Sequence, residues 1–169
     1  MTTNSAVDLV VILNAASAFG RILPALLFNR LGAAFCVTIA TVLVAILLWC
    51  WLAITDSEAG FIVWCIFFGL TSGIFVSGNP AIAAHPSIAP SLDVVGTRLG
   101  MIFFAGGVGA LIGNPIAGAL ADPTRNDFLS AQAFAGAIMS IGAVSMGLVY
   151  LFTVRHDNRE KSMVDAEKG

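Results

Sequence analysis

The chain has 169 residues, of which 58% are hydrophobic and 11% are charged, whereas a soluble domain is roughly 45–50% apolar and about 25% charged. This number of charged residues is too small to cover the surface of a soluble domain, and the composition therefore indicates a membrane protein. The high apolar content also excludes intrinsic disorder. The formal net charge of −2 also provides no basic field for nucleic acid.

Five segments are long and apolar enough to cross a bilayer, because each crossing needs roughly 20 apolar residues in a helix. In chain order they are residues 7–28, 33–54, 61–84, 98–120 and 130–153. Their apolar runs are continuous rather than alternating, which favours helices over barrel strands. The sequence therefore predicts an all-α fold, in which residues 1–153 form a polytopic bundle of five transmembrane helices and residues 154–169 form a charged tail.

The basic residues are distributed unequally between the two sides of this predicted bundle. One side receives six Lys and Arg residues: Arg30, Arg98, Arg155, Arg159, Lys161 and Lys168. The other side receives only Arg125. This bias predicts a cytosolic carboxyl tail and an extracytosolic amino terminus. Such an orientation is unusual for a complete chain, because no preceding span carries Met1 across the membrane, and it favours a truncated gene product or a fragment.

The first segment contains the only formal charge well inside a predicted span, Arg21. Asn14, Ser17 and Arg21 follow helical spacing and are expected to share one stripe facing a polar cavity or another helix. Pro24 cannot donate to the carbonyl of Gly20, so the helix is expected to loosen near Arg21. We interpret the stripe as a substrate-binding surface. The alternative is an arginine that caps internal carbonyls without touching substrate.

The third and fourth segments each carry a Gly-Asn-Pro motif near the end of the helix. The motifs place Asn79 before Pro80 and Asn114 before Pro115, and each supplies an amide beside a backbone carbonyl that proline leaves without a donor. Because the two helices run in opposite directions, the breaks are expected near opposite membrane faces and to line a cavity. Bending helices that open and close alternately are one interpretation, and static kinks in a packed bundle are the other.

Small residues recur every four positions in the last three segments, a pattern that predicts close helix contacts. The set comprises Ala105, Gly109, Gly113 and Ala117 in the fourth segment, Gly69, Gly73 and Ser77 in the third, and Gly136 with Ser140 in the fifth. The bulky aromatics are expected to face lipid or the membrane interface rather than to form a ligand box. These are Trp49, Trp51, Trp64, Phe67 and Phe68.

No catalytic or metal-binding pattern is present. The two histidines, His85 and His156, lie outside the spans, and neither has a serine or cysteine and a carboxylate in the arrangement that nucleophilic catalysis requires. The three cysteines lack a CxxC spacing and lie in or beside apolar runs. We therefore expect a protein that is not an enzyme and that uses no metal and no cofactor.

Two stretches resemble the monocarboxylate-porter-like carriers of the major facilitator superfamily, especially the fungal-type members. Residues 13–24, LNAASAFGRILP, followed by a loop motif with Asn29, Arg30 and Gly32, look like the eighth helix and the loop after it. Residues 96–118 look like the eleventh helix. The resemblance covers most of the chain and implies that the five spans are helices eight to twelve of a twelve-helix carrier.

The resemblance implies a plasma-membrane transporter that moves a small organic solute by alternating access between two halves. It implies that Arg21 binds a substrate carboxylate, which a guanidinium pairs with through two parallel hydrogen bonds. A monocarboxylate in symport with a proton is the family expectation. However, Ser17 stands where relatives often have an aspartate that takes part in proton coupling. The implied partners are the solute, the lipid bilayer and the amino-terminal half of the carrier.

A hypothesis from a different class is that the chain itself transports nothing. It is then a truncated membrane protein or an interaction partner that docks onto another carrier half through its small-residue stripes. Loss of monocarboxylate uptake in an Arg21→Ala variant of the full-length product favours the carrier hypothesis. Coding sequence for about seven further helices immediately upstream indicates that the start of the chain is mis-predicted.

Overall fold

In a computed structural model, residues 3–54, 58–85, 91–121 and 128–168 are described, except for the side chains at 3–6, 23, 25–27, 29–30, 58, 92, 160–161 and 164–168. Within these residues the chain forms five long helices and no strand. They are α1 (Thr3–Leu31), α2 (Ala33–Trp51), α3 (Glu58–Ala83), α4 (Leu92–Leu120) and α5 (Leu129–Lys168). The prediction of an all-α bundle of five helices is confirmed.

A single non-helical residue, Gly32, joins α1 to α2. Its φ of 83° lies in the left-handed region, which a side chain disfavours. The Gly32 N–H donates to the Phe28 carbonyl at 3.0 Å, and the Gly32 carbonyl accepts from the Cys36 N–H at 3.2 Å. Gly32 therefore ends one helix and begins the next. The expected loop over residues 29–32 is correspondingly shorter, because residues 29–31 belong to α1.

The helices do not pack in chain order. α3 packs extensively against α1 and against α2, α5 packs against α2, and α1 and α2 make a smaller contact with each other. α4 makes only limited contacts, with α3 and with α5. The core is concentrated in α2, whose buried residues include Val37, Ala40 and Val44.

Glycines on α3 let α1 approach closely, as their spacing predicts. A Cβ built on Gly69 would lie 2.7 Å from the Ala16 Cβ, and one built on Gly73 would lie 2.8 Å from the Gly20 carbonyl carbon. Real Cβ atoms do not approach other atoms so closely, so only glycine fits at either position. Small residues therefore determine how close the backbones of α1 and α3 come.

The small-residue stripe of α4 makes no comparable contact within the described part of the chain. A Cβ added at Gly106, Gly109 or Gly113 would meet nothing within 4 Å. None of the apolar stretch of α4 that is long enough to span a membrane is buried. The expectation of close packing therefore holds for α3 but is not met by α4 among the described residues, because none of them lies against the α4 glycines.

Four of the described helices, α2 to α5, are long and apolar enough to cross a membrane. The apolar residues of α1 are interrupted by Asp8, Asn14 and Arg21. α5 has 40 residues and is about 60 Å long, twice the hydrocarbon thickness. The predicted charged tail is helical and continuous with α5 as far as Lys168.

The end of α3 and the extension of α5 lie on the same side of the bundle. His85 Nε2, just after α3, is 3.9 Å from Asp157 Oδ2 in α5, and both side chains are partly exposed. This proximity agrees with the alternation of helix directions on which the predicted sidedness depends.

Candidate functional site

The polar residues predicted to form a stripe on α1 are divided between two surfaces. Asn14 and Arg21 are exposed, and their separation of seven residues places them on one face, about 10 Å apart along the axis. Ser17 is only 9% exposed and lies in the contact with α3. The structure therefore brings Asn14 and Arg21 to an open surface and separates Ser17 from them.

Ser17 fills the space between α1 and α3. Its backbone N lies 3.2 Å from the position a Cβ would take on Gly69, and its backbone carbonyl lies 2.5 Å from that position on Gly73. The backbones of α1 and α3 are therefore in direct contact at position 17. Periodicity places Ser17 within about 60° of Asn14 around the helix, but it does not reveal where the packed face begins.

Asn14 is bonded to its own helix. Its Nδ2 donates to the Val10 carbonyl at 2.8 Å, so one donor is satisfied within α1 and the side-chain oxygen is left as an acceptor. This arrangement keeps a polar amide on an otherwise apolar surface.

Arg21 is surrounded on the open face of α1 by large apolar side chains. Phe19 is 64% exposed and Ile22 is 67% exposed. A charged group at membrane depth is costly and faces a bundle interior, a water-filled cavity or a charged partner rather than lipid. The open face of α1 is consequently unsuited to contact with acyl chains around Arg21.

Pro24 lies one turn beyond Arg21 and is almost completely buried. It leaves the Gly20 carbonyl without its usual helical donor. Gly20 itself packs against the Leu70 carbonyl of α3. The expected weak point of α1 therefore coincides with its contact with α3.

The two Gly-Asn-Pro motifs lie in different surroundings. Gly78 is buried, and a Cβ there would overlap Val37 of α2. Asn79 is half-buried and Pro80 is exposed, and the helix ends three residues later. The α3 motif is thus held by packing on α2 through its glycine.

In α4 the Gly-Asn-Pro motif lies on an exposed surface. Asn114 and Pro115 are exposed, and Gly113 has free space around it. The helix continues through the proline to Leu120. Asn29 and Arg30 are helical in α1, but their side chains lie outside the described residues, and Gly32 is the turn between α1 and α2.

Aromatic residues form a packed cluster that the sequence interpretation missed. Trp64 of α3 is only 7% exposed, stacks on Phe61 and Phe68 with centroid distances of 5.6 and 4.8 Å, and lies 5.1 Å from Trp51. Its Nε1 donates to the Leu47 carbonyl at 2.7 Å. The lipid-facing expectation is therefore wrong for Trp64 and incomplete for Trp51 and Phe68, which are half-buried. Helical spacing of positions 61, 64 and 68 was the available signal.

Two other aromatics remain on the surface, as expected. Phe67 is 56% exposed, and Trp49 is 46% exposed. Trp49 also packs against Gly136 of α5 and donates its Nε1 to Ser140 Oγ at 3.0 Å. The small residues of α5 predicted to form a contact surface therefore receive an indole ring from α2.

Among the described residues, no group of three His, Cys, Asp or Glu side chains is arranged to hold a metal ion. The polar features are instead a charged residue and an amide on the open face of one helix, together with proline-interrupted helices. These features and the four apolar helices define an integral membrane protein with a polar surface on α1.

Three relatives extend this description. The chain is 34% identical over 144 residues to the aspyridones efflux protein of Emericella nidulans, covering 85% of this chain and 29% of that protein. It is 37% identical over 147 residues to the MFS-type transporter hasB of Aspergillus fumigatus, covering 85% and 32%. It is 30% identical over 149 residues to the agnestins efflux protein of Paecilomyces divaricatus, covering 88% and 33%.

These similarities support the resemblance to the major facilitator superfamily, and the relatives are transporters rather than enzymes. The chain spans about a third of the length of these curated relatives. No protein-family model matches the chain. No solved structure is significantly similar to it.

Proposed function

We propose that this chain forms part of a transporter that moves a small organic solute carrying a carboxylate, a monocarboxylate in the simplest case, by alternating access. The observation that carries the proposal is the exposure of Arg21 on α1 within an apolar surface. A guanidinium binds a carboxylate through two parallel hydrogen bonds. The resemblance of residues 13–24 to the eighth helix of monocarboxylate-porter-like carriers supports the same role.

Asn14 supports a polar path along α1. Its amide lies about 10 Å from Arg21 on the same face, roughly two helical turns away. A solute bound at Arg21 is within reach of a polar contact with Asn14 if it extends along the helix. Ser17, packed against α3, positions α1 and does not contact solute.

The proline positions support helix movement during transport. Pro24 weakens α1 beside its glycine contact with α3, and Pro115 interrupts α4 where no described residue restrains it. Pro80 lies near the end of α3, beside a glycine packed on α2. We assign bending to the α1 and α4 positions, whereas the α3 motif is a fixed kink.

The names of two relatives support a proposal for the direction of transport. Both are efflux proteins by name, which supports export across the plasma membrane. Proton coupling has less support, because Ser17 occupies the place of the aspartate that takes part in it in related carriers.

Further helices complete the transport path. The open face of α1 and the exposed surface of α4 are available for contact with the amino-terminal half of the carrier. The positive-inside bias supports a cytosolic location for the carboxyl end of α5. A second candidate, a docking protein that transports nothing, is favoured only by the open stripe on α4.

Transport is tested with the full-length product reconstituted in vesicles. We expect movement of labelled monocarboxylates but not of their neutral amides, and we expect Arg21→Ala to abolish the difference. Arg155→Ala is the matched control, because it removes the same charge from the extension of α5. Equal transport by the Arg21→Ala variant and the unchanged protein contradicts the assigned role of Arg21.

The docking alternative is tested separately by purification. If the role of this chain is docking, a separate carrier half is expected to co-purify with the tagged chain. Coding sequence for about seven helices immediately upstream, translated in the same frame, favours a single carrier polypeptide.

A further inference from the structure

We infer that Asn14 of α1 is a second solute contact, and that the solute is an extended organic acid with a hydrogen-bond donor about 10 Å from its carboxylate. The inference rests on the proposed function, in which Arg21 binds the carboxylate. Asn14 and Arg21 are both exposed and lie seven residues apart on one face of α1. Two polar groups at a fixed spacing on a largely apolar surface recognise a solute at both of its ends.

The amide of Asn14 is oriented by its own helix. Its Nδ2 donates to the Val10 carbonyl at 2.8 Å. Because a carbonyl oxygen only accepts, the amide nitrogen is the atom that contacts Val10, and the side-chain oxygen remains as an acceptor. An acceptor that loses water without gaining a donor costs free energy. The solute group that complements Asn14 is therefore a hydroxyl or an N–H, not a second carboxylate.

The charge of Arg21 is not balanced from within α1. Asp8 is the acidic residue of this helix, and it precedes Arg21 by about 20 Å along the axis. The attraction between two charges is weak at that distance. The anionic partner of Arg21 therefore comes from outside α1, and in the proposed function the carboxylate of the solute supplies it.

The spacing of the two polar groups limits the length of the solute. Side chains of a helix lean towards its amino terminus, so Arg21 extends towards Asn14. The distance that the solute bridges is therefore at or below the axial separation of about 10 Å. An extended chain gains about 3.3–3.6 Å for every three bonds, so about eight bonds are enough. A three-carbon hydroxy acid is too short to contact both groups.

The surface between the two polar groups suits an apolar chain. Ala18 lies between them along the axis and beside them around the helix, and it is exposed. Its small side chain leaves space for methylene groups, and Ile22, which is 67% exposed, adds apolar area next to Arg21. Ser17 is buried in the contact with α3 and offers no polar group to this surface. Burial of methylene groups here is favourable, so the body of the solute is apolar.

The experiment measures transport by the full-length product in vesicles, above the rate in protein-free vesicles, with two pairs of labelled acids. Octanoate is paired with ω-hydroxyoctanoate, whose hydroxyl lies about 9 Å from its carboxylate, and propanoate is paired with ω-hydroxypropanoate. We expect an apparent affinity about five-fold higher for ω-hydroxyoctanoate than for octanoate, the effect of one hydrogen bond. We expect no preference for the hydroxyl in the short pair, because it does not reach Asn14.

Asn14→Leu removes the acceptor and nearly conserves the volume of the side chain. It is expected to abolish the preference for ω-hydroxyoctanoate. Octanoate is still transported by this variant, which shows that the variant is folded. Asn158→Leu is the matched control, because it makes the same substitution at an exposed position in the extension of α5. The control variant is expected to keep the preference for the hydroxyl.

The results separate this inference from the proposed function. Equal affinities for octanoate and ω-hydroxyoctanoate in the unchanged protein, or a preference that survives Asn14→Leu, overturn the role of Asn14. Loss of octanoate transport in Arg21→Ala still supports the proposed function in that case. Octanamide transported as well as octanoate shows instead that a carboxylate of the carrier pairs with Arg21, and this result overturns the proposed function and the inference together.

Discussion

Gly20 of α1 and Gly73 of α3 face each other where these helices pack. A Cβ on Gly73 would lie 2.9 Å from the Gly20 Cα and 2.5 Å from the Ser17 carbonyl oxygen. The atoms in the way belong to the backbone, so they cannot rotate aside. The position of α1, and with it the orientation of Arg21, depends on this contact.

We predict that Gly73→Ala separates α1 from α3. The added methyl group forces the two backbones apart, at a cost of about 1–3 kcal/mol in the free energy of unfolding. Thermal unfolding in detergent measures this loss. Gly109→Ala is the matched control, since a Cβ there meets nothing within 4 Å, and it is expected to be neutral or to stabilise α4 by about 0.5 kcal/mol. Equal effects of both substitutions contradict the packing described for α1 and α3.

The shape of the Arg21 side chain, as well as its charge, is predicted to matter for transport. Arg21→Lys keeps the charge but replaces a planar fork with a single ammonium, so paired contact with a carboxylate is lost. A loss of one charge-assisted hydrogen bond lowers apparent solute affinity by about ten-fold or more. The dependence of transport rate on solute concentration measures it. An unchanged apparent affinity in Arg21→Lys points to a role for the charge alone.

Trp64 is predicted to stabilise the fold through both its ring and its indole N–H. Trp64→Phe keeps an aromatic ring between its neighbours but removes the bond to the Leu47 carbonyl, and we expect a cost of about 1 kcal/mol. Trp64→Ala also removes the stacking and is expected to cost about 3–5 kcal/mol. Thermal unfolding of the purified protein distinguishes them. Phe67→Ala, at an exposed position, is the control and is expected to change stability by no more than about 0.5 kcal/mol.

The sidedness of the helix ends is predicted to alternate. In vesicles of known orientation, cysteines replacing His85 and Asp157 are expected to react with an impermeant thiol reagent from the same side, because these residues are neighbours. A cysteine at Phe128, just before α5, is expected to react from the opposite side. These variants are made in a background without Cys36, Cys50 and Cys65. Labelling of all three positions from one side contradicts a membrane-spanning α5.

Hydropathy predicted the number and type of the helices because each apolar run exceeds the length of a bilayer crossing. It did not predict helix ends, since a helix continues wherever its backbone bonds are satisfied, in water as in lipid. α4 thus begins at Leu92 rather than at residue 98, and α5 continues through the charged residues to Lys168.

Which face of each helix is buried was harder to predict from one sequence. Glycine spacing identified Gly69 and Gly73 as contact residues, because small residues repeated along one helix face allow another helix to pack closely. The spacing did not indicate which helix is the partner. Trp64 was misassigned because a tryptophan suits a packed cluster as well as a membrane interface. The residues that pack around it determine which environment it has, and one sequence does not reveal them. Ser17 was placed with Asn14 and Arg21 because the boundary of the packed face depends on where α3 lies.

The junction at Gly32 also has a mechanical consequence. With one residue between them, α1 and α2 form a hairpin whose two arms cannot slide far along each other. A shift of α1 along its own axis must therefore be transmitted to α2. The contact of α1 with α3 and the contact of α2 with α5 are thus mechanically linked through one residue.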